Sequence, residues 1–148
     1  VADNSFFNNI DKKIAEKQQE QKEEKTRLDE GRAFLSQLVE SLMPKVEFYK
    51  DGLLQRGVHA ELSSSPRHIC FKMKYKDGGR HDLLLSETQR FDGRITMTTE
   101  STSDDGRTYT STDGSSYESS NWDNDIFIQK LEKHINDYLF YAERHGGL

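Results

Sequence analysis

RHICFKMKYKDGGRHDLLLS, residues Arg67–Ser86, is the stretch that decides the fold. Ile69, Phe71, Met73 and Tyr75 fall on one side of an extended chain. His68, Cys70, Lys72 and Lys74 fall on the other, the two-residue period of a strand with one face in a core. Asp77-Gly78-Gly79 is turn chemistry, and beyond it His81, Leu83 and Leu85 resume the alternation. A three-residue loop with a left-handed Gly is a common hairpin connection. It predicts Lys76 opposite Arg80, Tyr75 opposite His81, Met73 opposite Leu83 and Phe71 opposite Leu85, with Lys74 meeting Asp82 on the other face. A slip of one residue buries charges.

Further strands flank this hairpin. Upstream, Val58, Ala60 and Leu62 alternate with His59 and Glu61, and Ser63-Ser64-Ser65-Pro66 reads as the connection. Downstream, Arg94–Ser101 carries Ile95 and Met97. Asp104-Asp105-Gly106 turns it into a fifth strand, Arg107–Thr112, whose main apolar residue is Tyr109. Residues 96–120 hold 14 Ser or Thr, enough for a strand but little core, and Asp113–Ser120 reads as loop.

Two helices bracket the strands. The last runs from about Asn124 to His145, capped by Asp123, with Trp122 placed to staple onto Phe127. Its expected buried stripe is Ile128, Leu131, Ile135, Leu139 and Ala142, with Tyr138 and Tyr141 beside it. Arg144 and His145 suit the negative helix end, and Gly146-Gly147 stops it. The first helix spans roughly Ser5 to Arg56, capped by Asp3 or Ser5. From Leu35 the seam Leu35, Val39, Leu42, Val46, Tyr49, Leu53 alternates steps of four and three. Pro44 falls inside it. Because the seam keeps its phase, a kinked but continuous helix is expected rather than a stop. Gly57 suits a left-handed cap, with Val58 folding back on Leu53.

Long α, then four or five β, then α predicts an α+β domain. It is an antiparallel meander whose apolar face is covered by Leu35–Leu54 and the C-terminal helix. The domain is expected over 28–148, with 1–27 a projecting helical extension. In that extension residues 16–27 carry no apolar side chain. A helix polar all round cannot pack on its own core, yet Phe6, Phe7, Ile10 and Ile14 form an apolar patch beyond it. The patch, with Leu28 and Leu35, is the expected self-association surface. A parallel pair joins two apolar grips across a weak polar span. An antiparallel or swapped pair seats the patch of one chain on the domain of another.

Composition limits the chemistry. Leu, Ile, Val and Phe total 32 of 148 residues, so the core is small. No apolar run spans a bilayer, and Val1–Ile10 lacks the basic start and apolar run of a signal peptide. The chain begins on Val1 rather than Met, which reads as a processed product or a fragment and leaves a removed signal open. Cys70 is the only cysteine, so an internal disulfide and a Cys-based zinc site are out. A cytoplasmic setting is the expectation. Net charge is +3 over residues 56–94 and −6 over residues 95–148, a weak basic bias for a nucleic-acid binder. Lys72, Lys74, Lys76 and Arg80 are the candidate phosphate contacts, but that face has no interleaved aromatics for base stacking.

No phosphate loop and no EF-hand loop occurs. His59 and Glu61 lack a third metal ligand. His68 and Cys70 share a strand face without a nucleophile elbow or partner motif. The expectation is therefore a non-enzymatic assembly module, a homodimer with room for a further protein partner, needing no cofactor or metal and no membrane. The alternatives are a nucleic-acid-associated protein using the basic face, and an enzyme with a site near His68, Cys70 and His81.

Overall fold

A computed structural model describes the backbone of residues 2–90 and 92–148, with side chains from Asn4 onward. Helix α1 spans Ala2–Gln55. Strands β1 (Ala60–Ser65), β2 (His68–Lys74), β3 (Arg80–Glu87), β4 (Ile95–Thr102) and β5 (Thr108–Thr112) follow. Helix α2 (Asn124–Tyr141) then ends in a 3-10 turn, Ala142–His145. The architecture is α+β, and the five strands form one antiparallel sheet in chain order.

The helix α1 is already helical at Ala2, so neither Asp3 nor Ser5 begins it, and it runs on through Pro44. Past its end Gly57 takes φ +77°, and the Val58 N–H donates to the Leu53 carbonyl at 2.9 Å. That positive φ is the conformation a capping Gly supplies without steric cost. The core lies between sheet and helices. Leu35, Leu42 and Val46 of α1 and Phe127 and Leu131 of α2 meet Ile69, Phe71, Leu83, Leu85 and Ile95 of the sheet, all fully buried or nearly so. Asp123 caps α2 by accepting the Asp125 N–H at 2.9 Å, as the sequence predicts.

Three expectations need correction. The β2–β3 register is shifted by two residues: Lys74 lies opposite Arg80, Met73 opposite His81, Phe71 opposite Leu83 and Ile69 opposite Leu85. The shift is even, so every side chain keeps its predicted face. The cause is tertiary. Tyr75–Gly79 forms a five-residue loop whose Asp77 is held by the C-terminal turn: its N–H donates to the His145 carbonyl at 3.2 Å, and its carboxylate lies 2.8 Å from His145 Nδ1. The Gly79 N–H, followed by His145, holds the Asp77 carboxyl below its ordinary range. Second, Ser63–Ser65 extend β1, leaving Pro66-Arg67 as a tight turn between Ser65 and its partner His68. Third, Leu139 faces solvent. The buried face of α2 is Phe127, Leu131, His134, Ile135 and Tyr138, because the helix is rolled to bring its histidine onto the sheet.

His134 and His81 join α2 to β3 by reciprocal bonds. His81 Nε2 lies 2.8 Å from the His134 carbonyl, and His134 Nε2 lies 3.1 Å from the His81 carbonyl. The rings stack at 3.9 Å, 12° from parallel. Each carbonyl can only accept, so each Nε2 carries a hydrogen. Burial lowers both pKa values and pushes His134 down to about 3, with the neighbouring His81 adding to the effect.

The β3–β4 loop marks where α1 leaves the domain. A Cβ on Gly31 would overlap the backbone of Gly93, and one on Gly93 would lie 2.9 Å from the Arg27 carbonyl. In an exposed helix Gly→Ala gains about 1 kcal/mol. Here Gly31→Ala is expected to lose roughly 1–3 kcal/mol by overpacking, read as a lower urea midpoint. A raised midpoint would show that the close approach carries no weight.

Candidate interface

Residues 2–27 of α1 extend past this loop for about 39 Å, at ~1.5 Å per residue. Every side chain from Asp11 to Arg27 is exposed. On this extension Phe6 is 60% exposed, Phe7 59% and Ile14 49%, with Ile10 half-buried beside them. Phe6 and Phe7 pack edge to face on one another. Their remaining surface is bare, although a side chain of this size gains about 1.5–3 kcal/mol on full burial.

The patch is in phase with the domain seam. Phe7, Ile14, Gln21, Leu28, Leu35 and Leu42 are spaced by sevens. A straight helix drifts about 20° per seven residues, so Phe7 and Leu28 point within roughly 60° of one another. The patch thus points to the same broad side of α1 as Leu28, beyond the sheet's reach. Gln21 interrupts the apolar series, with Lys17 and Glu24 on the same stripe.

The residues expected to self-associate therefore divide. Phe6, Phe7, Ile10 and Ile14 are together and open, and Leu28 is half-buried where the extension meets the domain. Leu35 is fully buried in its own core and offers nothing to a second molecule.

The basic face is interrupted by carboxylates. Sheet register aligns Glu61, Lys72, Asp82 and Glu100 across the outer face. Arg80 lies 2.9 Å from both Asp82 and Glu100. Lys72, Lys74 and Lys76 are exposed, but Glu61, Asp82 and Glu100 interrupt the surface they share.

His68 and Cys70 do not meet His81. The first two lie on the outer face, where His68 Nδ1 is 2.8 Å from Ser65 Oγ and burial, followed by Asp82, raises the Cys70 pKa. His81 lies on the inner face. His59 lies 3.4 Å from Glu61, with both side chains 70% exposed. Among the described residues no group of three or more His, Cys, Asp or Glu is placed to hold a metal ion, and no helix is long and apolar enough to cross a membrane. Sequence reading missed the partners His81 does have, Ser101 and His134. Only the β3–β4 register and the docking of α2 bring them together.

Against known proteins, the chain matches no family model, no curated protein and no solved structure.

Proposed function

We propose that this protein is an assembly module that pairs with a second copy of itself through the α1 extension. One observation carries the reading: Phe6, Phe7, Ile10 and Ile14 stand on a helix beyond the reach of their own sheet. Among the described residues nothing covers them, and a contiguous exposed apolar patch rimmed by polar residues marks an association site.

Charge favours a second copy as the partner. Residues 16–27 hold four acidic residues (Glu16, Glu20, Glu23, Glu24) and four basic ones (Lys17, Lys22, Lys25, Arg27), while the whole chain is −5. Two copies thus meet where their mutual repulsion is least. Polar residues at seam positions weaken a coiled coil but fix its register. Nucleic-acid binding through Lys72, Lys74 and Lys76 ranks lower, because Asp82, Glu61 and Glu100 share that face.

Sedimentation of the full chain across micromolar concentrations tests the proposal. The expected result is a mass moving from one copy to two as concentration rises. A single-copy mass throughout that range overturns it.

A further inference from the structure

At the far end of the domain from the extension, the helices leave the inner face of β5 and of the Thr99–Ser101 end of β4 uncovered. A groove of about 600 Å³ opens between the β4–β5 hairpin and the C-terminal end of α2, a volume usual for small-molecule sites. Thr99, Ser101 and Ser103 line one wall, Tyr141 and Arg144 the other, and His81 lies at the floor. His81 is 4% exposed. Its Nε2–H is committed to the His134 carbonyl, so its Nδ1 presents a bare lone pair. Ser101 Oγ lies 2.9 Å from that Nδ1. Since Nδ1 can only accept, the serine hydroxyl is the donor.

A hydroxyl bonded to an imidazole that a third group holds in place is the arrangement that activates an oxygen nucleophile. The imidazole has little freedom to turn. It is stacked on His134, and sheet register sets it opposite Ser101. Burial keeps it neutral at pH 7, the form able to take a proton.

We propose that this groove is a carboxylic-ester hydrolase site, with Ser101 the nucleophile and His81 the general base. Ser101 Oγ attacks the ester carbonyl carbon as its proton passes to His81 Nδ1. The C–O bond to the leaving group breaks, and the departing alkoxide takes that proton and leaves as the alcohol. Water, deprotonated by the same Nδ1, attacks the acyl-serine. The serine oxygen recovers the proton and the carboxylic acid is released. Ester and water become acid and alcohol, with no other reactant. Arg144 bonds Asp104 at 3.3 Å and lies 5.3 Å above the Tyr141 ring. Asp104, Asp105 and Asp137 also line the groove, and in this proposal the remaining N–H groups of Arg144 offset them as donors to the negative charge that develops on the carbonyl oxygen. This activity is independent of self-association. It departs from the sequence-based expectation of a non-enzyme, which sought partners for His81 at His68 and Cys70.

The full-length protein, treated with a biotinylated fluorophosphonate and digested, is expected to carry the label on Ser101. It is also expected to release p-nitrophenol from p-nitrophenyl acetate at a rate that falls as pH drops through the His81 ionisation, below 6.5. Ser101→Ala is expected to lose the label and slow hydrolysis at least about 100-fold. Labelling that omits Ser101, or hydrolysis unchanged in Ser101→Ala, overturns the proposal. The labelling result on the unaltered chain stands whether or not the variant folds.

Discussion

A chain carrying Phe7→Glu and Ile14→Glu is expected to remain a single copy at concentrations where the unaltered chain pairs, with the dissociation constant raised more than a hundredfold. Both positions are exposed in the isolated chain, so the substitutions cost the domain little, within about 0.5 kcal/mol for open surface sites. A pair loses four apolar side chains. At roughly 1.5–3 kcal/mol each, and about 1.4 kcal/mol per tenfold in affinity, half of that sum already exceeds a hundredfold. Sedimentation measures the mass and urea unfolding the domain. Leu35→Glu separates the two effects, since it places a charge in the core and is expected to unfold the domain outright. If the double variant pairs as tightly as the parent, the patch is not the interface.

Acid is expected to loosen the domain well above the range where carboxylates protonate. His81 and His134 are each 4% exposed, and their pKa values are lowered by burial, His134 to about 3. Unfolded, both titrate near 6.5. Below that pH the unfolded chain therefore binds more protons than the folded one, and stability falls. The contribution is complete above about pH 6.5 and is lost progressively as pH drops towards 3. His134 alone gives a slope of about 1.4 kcal/mol per pH unit, and His81 acts in the same direction. From pH 6.5 to 4.5 the loss from His134 is about 2 kcal/mol, a sizeable part of the roughly 5–15 kcal/mol that holds a domain folded. Asp137 and Asp82 favour the charged form of His81, while Lys133 disfavours it. Lys130 and Lys133 disfavour the charged form of His134. Asp77, Asp92 and Asp105, also lowered, lose their contributions only below about pH 4, outside this window. Urea unfolding between pH 7 and 4.5, in the Phe7→Glu/Ile14→Glu background so that assembly adds nothing, measures the slope. His134→Gln is expected to reduce it, and a flat profile in the parent would sink the argument.

The amino-acid order alone determined the pattern of faces. Alternation over Arg67–Tyr75 and His81–Leu85 put Phe71, Met73 and Leu83 in the core, because a strand's side chains have no third side. The unbroken phase from Leu35 to Leu53 carried α1 through Pro44. The all-polar run from Glu16 to Arg27 separated the Phe7 patch from the domain. Each of these follows from the local period of a helix or strand.

What depended on which distant groups meet was decided only in three dimensions. Asp77 is drawn to His145, and the β2–β3 register moves by two. His134 is drawn to the His81 carbonyl, and α2 rolls Leu139 outward. The β3–β4 register brings Ser101 onto the imidazole of His81, twenty residues earlier in the chain. A polar bond between remote residues leaves no period in the sequence, because its direction and distance are set by packing that exists only once the chain has folded.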